Sequence, residues 1–152
     1  MALARRIGLG ITIGIDRTGS NNFTTLGYLV GGLKRGTGKA QVIECPIATD
    51  TYIPKGKGQI TPGQTKFKIY YDPSDSSNTN NSRLLAAALA DTGPPGTEAN
   101  FKVTYPAVGA VNALSETFKG WVTDLGDLDL DVKSPTVADV TVDISGDPGL
   151  QT

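Results

Sequence analysis

Apolar and polar residues alternate in several short stretches of this chain, most regularly near its end. Over Val137–Ile144 the residues Ala138, Val140, Val142 and Ile144 share one face, with Val137, Asp139, Thr141 and Asp143 on the other, because successive strand side chains point to opposite sides. One face is built for burial and the other for water. The same period predicts strands at Ile11–Ile15, at Gln64–Tyr71 and at Ala99–Tyr105. In the second of these Phe67, Ile69 and Tyr71 point inward and Lys66, Lys68 and Tyr70 outward; in the third, Phe101, Val103 and Tyr105 share a side. Phe118–Thr123 alternates as well, and a further strand is expected at Lys39–Cys45. Phe23–Leu33 is apolar but broken by Gly27, Gly31 and Gly32, a density of glycine that argues against a helix.

One segment has a helical pattern, at about residues 82–91. Leu84, Leu85, Ala88 and Leu89 form a stripe suited to docking on a sheet, Asn81 or Ser82 can cap the start, and Gly93-Pro94-Pro95-Gly96 prevents continuation. Pro46–Gln64 carries Pro46, Pro54 and Pro62 with Gly56, Gly58 and Gly63 and reads as one long polar connection. Loops of such length are usually functional or disordered. Residues 147–152 are expected to fray.

The fold class predicted is therefore mainly β with one short helix, in a single domain over residues 1–152. Composition agrees: 38% hydrophobic residues with 19 Gly and 9 Pro favour short strands and turns over a helical bundle. Net charge is −1, which gives no reason to expect wholesale binding to nucleic acid or anionic lipid. Its distribution is uneven, with ten Lys/Arg and five Asp/Glu in residues 1–76 against four and ten in residues 77–152.

The chain has no histidine and a single cysteine, Cys45. Ser-His-Asp, Cys-His and imidazole–metal sites are excluded, as are an internal disulfide and a CxxC zinc site. Cys45 is expected to be a small half-buried hydrophobe at a strand end. Lys55-Gly56-Lys57-Gly58 lacks the spacing and the following helix of a phosphate-binding loop. Lys66, Lys68 and Tyr70 are the residue types of a single-stranded nucleic-acid patch, but they also suit an ordinary wet strand face. Asp127, Asp129 and Asp131 alternate like a calcium loop yet lack its glycine and its closing glutamate. Neighbouring aspartates on one loop do not face each other across a cleft as glycoside hydrolysis requires. No catalytic, cofactor-binding or metal residue is assigned, and no enzymatic activity is expected. No run is long and apolar enough to enter a membrane.

The order from Thr61 onward has a recognisable character: a Thr-Pro-Gly turn, an alternating strand ending in Tyr71-Asp72-Pro73, one Leu/Ala helix, the strand Phe101-Lys-Val-Thr-Tyr105-Pro106, then Phe118-Lys-Gly120-Trp121-Val122, and a last strand closing on Ile144-Ser-Gly146-Asp-Pro148. Over roughly residues 40–148 this resembles the major tail tube proteins of long-tailed (siphovirus-type) bacteriophages, relatives of contractile-tail and type VI secretion tubes. The resemblance implies a β-sandwich or incomplete barrel with one flanking α-helix, whose inner strands join a β-barrel shared around a ring. It implies a structural virion protein: hexameric rings stacked head to tail, assembled in the host cytoplasm into a phage tail tube that holds the tape measure protein and conducts double-stranded DNA. Tail terminator and distal tail proteins would be further partners. Residues 1–10 would form an arm, and residues 46–64, with Thr51, Tyr52, Ile53, Lys55 and Lys57, an inter-ring loop. Asp124, Asp139 and Asp143 are candidate lumen-facing residues, since carboxylates would let DNA slide where lysines would grip its phosphates. A decoration or adhesion module of a virion, a β-sandwich that forms no tube, is the alternative.

Overall fold

The computed structural model describes residues 10–26, 29–71, 82–108, 112–130 and 132–149. Among the described residues nine strands and one helix follow in the order β1 (Thr12–Asp16), β2 (Thr24–Leu26), β3 (Leu29–Lys34), β4 (Lys39–Glu44), β5 (Lys55–Thr61), β6 (Gln64–Tyr70), α1 (Ser82–Ala90), β7 (Ala99–Tyr105), β8 (Leu114–Asp124) and β9 (Val137–Ile144). Seven strands form one antiparallel sheet in the order β2-β1-β7-β8-β9-β6-β3, and β4 pairs with β5 in a separate two-stranded sheet. The mainly β, one-helix architecture is the one the alternation predicts.

The large sheet is strongly curled. Leu26 ends one edge strand and Leu29 begins the other, yet three residues of chain reach at most about 11 Å. The two edges therefore come within a few strand spacings without joining in a ladder. An incomplete barrel results. Its concave face holds the core, and the register shows why: Ile13 stands opposite Val103, Phe101 opposite Phe118, Val122 opposite Val142, Phe67 opposite Val140 and Ile69 opposite Ala138. All ten are buried. Phe101 and Phe118 stack with ring centroids 5.4 Å apart. Alternation over Val137–Ile144 is thus fully realised, with Ala138, Val140, Val142 and Ile144 buried.

Gly120 lets β8 and β9 approach. A Cβ there would lie 2.5 Å from the Asp143 carbonyl oxygen, so any side chain would push the strands apart. Two residues on, Val122 and Asp124 on β8 face the adjacent pair Val142 and Thr141 on β9, which leaves Thr123 as a bulge.

Helix α1 packs on β8, with Leu85 and Ala88 in the core and Leu84 packed against it. Leu89, expected in the docking stripe, is instead 41% exposed: position 89 lies one residue past Ala88, and the rotation of 100° per residue carries it to the rim. Arg17 clamps the far end of the helix by donating from Nε and an Nη to the two oxygens of Asp91, at 2.8 and 2.7 Å. The Asn81 and Ser82 side chains expected to cap the helix, residues 1–9 of the arm expected over 1–10, Asp131 and residues 150–152 of the frayed tail lie outside what the structure describes.

Two further expectations need correction. Pro46–Gln64 is not one loop, because Lys55–Thr61 is strand β5, and Gln64 opens β6. Lys55-Gly-Lys-Gly-Gln-Ile-Thr has little strand propensity of its own; pairing to β4 from Lys39↔Thr61 to Glu44↔Lys55 makes it a strand. Cys45 is exposed, since the hairpin holding it stands off the core.

Candidate assembly interface

The β4–β5 hairpin carries apolar residues on both faces. Ala40, Val42, Glu44, Lys55, Lys57 and Ile60 lie on one side and Ile43 with Gly56 on the other, as the pairs Val42↔Lys57, Glu44↔Lys55, Ile43↔Gly56 and Ala40↔Ile60 require, with a register shift between Ala40 and Val42 where β5 bulges. Apolar strand residues are normally covered. Here Val42 is 61%, Ile43 45% and Ile60 56% exposed. The connecting tip, residues 45–54, presents Ile47, Tyr52 and Ile53, with Tyr52 at 86%. It is closed by a hydrogen bond from Cys45 N–H to the Pro54 carbonyl at 3.0 Å. A lone two-stranded hairpin in water is marginal at best, and clustered exposed apolar residues mark contact surfaces.

The residues expected to bridge rings are divided between the tip and strand β5 of this hairpin. Thr51, Tyr52 and Ile53 lie on the tip, and Lys55 and Lys57 stand two apart on one face of β5. A strand offers these lysines fixed positions that a loop would not.

The segment from Leu125 into β9 is a second exposed apolar feature. Leu125 packs against the core, and Asp124 accepts a hydrogen bond from Gly126 N–H at 2.8 Å to turn the chain outward. Beyond it Leu128, Leu130 and Val132 are exposed, the last two at 80% and 99%.

Asp139 and Asp143 lie on the outer face of β9, and Asp124 stands beside them opposite Thr141. The face is not uniformly acidic. Lys68 is the cross-strand neighbour of Asp139, at 3.8 Å, and Gln64 Nε2 donates to Asp143 at 2.5 Å. Lys66 continues the same row of β6. Sequence reading took β9 alone and missed the lysines that pairing with β6 sets alongside.

Three acidic side chains serve the scaffold. Burial pushes the Asp16 carboxyl up, but hydrogen bonds from Thr18 and Asn21 N–H and from the Thr18 hydroxyl outweigh it and hold the group below its ordinary 3.8. Asn21 takes φ 62° to reach it. Glu98 is held low chiefly by the Ser145 hydroxyl, 2.6 Å away, and by Gly96 N–H. The Arg17 clamp lowers Asp91. Opposite in sense, burial raises Tyr105, and the neighbouring Glu116 adds to the rise. An open cavity of about 340 Å³ lies between Arg17, Asp91 and Trp121, but its two charged groups are spent on each other. Among the described residues no group of three His, Cys, Asp or Glu is placed to hold a metal.

No protein-family profile matches the chain, and no curated protein sequence does. Its fold is found among solved structures. A chain of the cryo-EM structure of the anti-feeding prophage (AFP) baseplate, 6-fold symmetrised, superposes with a TM-score of 0.58 at 11% identity, over 96% of this chain and 93% of that one. At that identity the likeness is one of fold.

Proposed function

We propose that this chain is a structural subunit of a phage-tail-type particle, which assembles with copies of itself into stacked six-membered rings forming a tail tube. One observation carries the reading: a hairpin whose apolar residues the subunit's own core leaves uncovered. The fold it shares with a chain of a six-fold baseplate supports the setting. A surface that contacts a different surface on the next copy generates rings or filaments, depending on whether the rotation closes. The hairpin supplies one such surface, its tip with Thr51, Tyr52 and Ile53 and its basic edge with Lys55 and Lys57 bridging between rings.

In this reading the outer face of β6, β8 and β9 turns to the lumen, with Asp124, Asp139 and Asp143 among lysines of β6. DNA slides past a face on which lysines are neutralised by aspartates, since each unpaired cation would bind phosphate and release counterions. The tape measure protein would fill the lumen during assembly, tail terminator and distal tail proteins would cover the two ends, and no catalysis is involved. Such a particle is assembled in the host cytoplasm and carries the chain in the virion. Negative-stain microscopy of the purified protein over a concentration series tests this. Six-fold rings or hollow tubes are expected; a 15.8 kDa monomer at every concentration overturns it and favours a decoration or adhesion module.

A further inference from the structure

We infer that the exposed segment Asp127–Leu130 of one copy adds as a third strand to the free edge of β5 in the next copy. The inference rests on the self-assembly proposed above and names the two surfaces that meet. Its basis is a match between two period-two patterns that one chain leaves separate.

Asp127-Leu128-Asp129-Leu130 alternates as a strand does, yet it belongs to no ladder. Its leucines are exposed, and no face of the barrel covers them. Among the described residues strand β5 pairs on one side with β4 and on the other with none, so that edge offers backbone groups to an extended chain. Along that edge Lys55 and Lys57 lie on one face and Gly56 and Gly58 interrupt them. An added strand whose aspartates fall beside the lysines necessarily sets its leucines beside the glycines, because both patterns repeat every second residue. There the leucines extend the apolar surface of Ile43, which stands opposite Gly56, over positions that carry no side chain. Both chemistries are satisfied by one register, in either strand direction. The outer edge of β4 fits worse, since Glu44 there would meet an aspartate. Oppositely charged neighbours across strands stabilise a pair and like charges destabilise it.

Contact between the acidic, apolar segment and the basic, apolar hairpin is heterologous, so it propagates from copy to copy. Two experiments test it. In a Cys45→Ser background, chains bearing Lys57→Cys are mixed with chains bearing Asp129→Cys and mildly oxidised. A disulfide-linked pair of unlike chains is expected, at least ten times more abundant than with Lys102→Cys on the outer sheet in place of Lys57→Cys. Separately, Asp127→Lys with Asp129→Lys should cut assembly at least tenfold while leaving the urea midpoint of the subunit unchanged. Adding Lys55→Asp with Lys57→Asp to the same chain should restore it.

If the native chain assembles while the aspartate exchange has no effect, or the fourfold exchange fails to rescue and no cross-link forms, the contact is wrong and the tube stands. Cross-linking confined to a single chain bearing both cysteines overturns it too. A native chain that never assembles overturns both.

Discussion

The incomplete barrel and the β4–β5 hairpin are built from the same alternating code and meet opposite fates. In the barrel every apolar row finds another row: Phe101 lies on Phe118, Val140 on Phe67, and Leu85 of α1 closes in from outside the sheet. In the hairpin Val42, Ile43 and Ile60 find solvent. Burial is a property of what surrounds a face, so apolar strand residues left outside the core are a statement about a partner. The barrel's code is answered within the subunit. The hairpin's requires another molecule.

Changes on either side of that divide should separate stability from assembly. Phe101→Ala removes a fully buried ring and should cost about 3–5 kcal/mol, enough to bring a marginal domain near unfolding; a urea titration of the subunit reads it. Gly120→Ala should cost about 1–3 kcal/mol, because the new methyl must displace the β9 backbone. Replacing Ile43 and Ile60 by Asp should move the urea midpoint by no more than about 0.5 kcal/mol's worth, as exposed positions do, while abolishing rings in negative stain. If those two substitutions destabilise the subunit as Phe101→Ala does, the hairpin belongs to the core and the contrast collapses.

Acid should weaken the barrel before it touches the hairpin. Asp16, Glu98 and Asp91 have folded values below their ordinary ones, so their contribution is complete above the unfolded values near 3.8 and 4.5 and is lost as pH falls through the folded ones. Stability measured by urea titration should fall below about pH 4, and Asp16→Asn should flatten the fall. The smallest effect is expected from Arg17→Ala, about 0.2–1 kcal/mol, since the Arg17–Asp91 pair is a third exposed on each side and solvent screens it.

Legibility in the sequence followed the same divide. Val137–Ile144 and Ala99–Tyr105 were readable because their burial is one-sided and their propensity agrees with it; the structure places both strands at those bounds. Lys55–Thr61 was unreadable as a strand, because two glycines and two lysines carry no local preference and only the ladder to β4 defines it. Leu89 was read into the docking stripe since a short helix leaves its stripe loosely bounded. The acidity of Asp139 and Asp143 was visible, and the ion pair of Asp139 with Lys68 and the hydrogen bond of Gln64 to Asp143 were not, because these cross-strand neighbours come from 71 and 79 residues away.

What the chain alone determined is the period of its elements. Alternation selects strands, the Leu/Ala stripe selects one helix, and the absence of histidine with a single cysteine removes whole classes of chemistry before any fold is drawn. All of these depend on residues close in sequence or on simple counts. Tertiary structure decided which apolar faces are covered, which charges stand side by side, and that the hairpin projects free of the core. Those depend on the order of strands in the curled sheet, where Leu26 and Leu29 end up on opposite edges, and strand order is set by packing among segments far apart in the chain rather than by any local pattern.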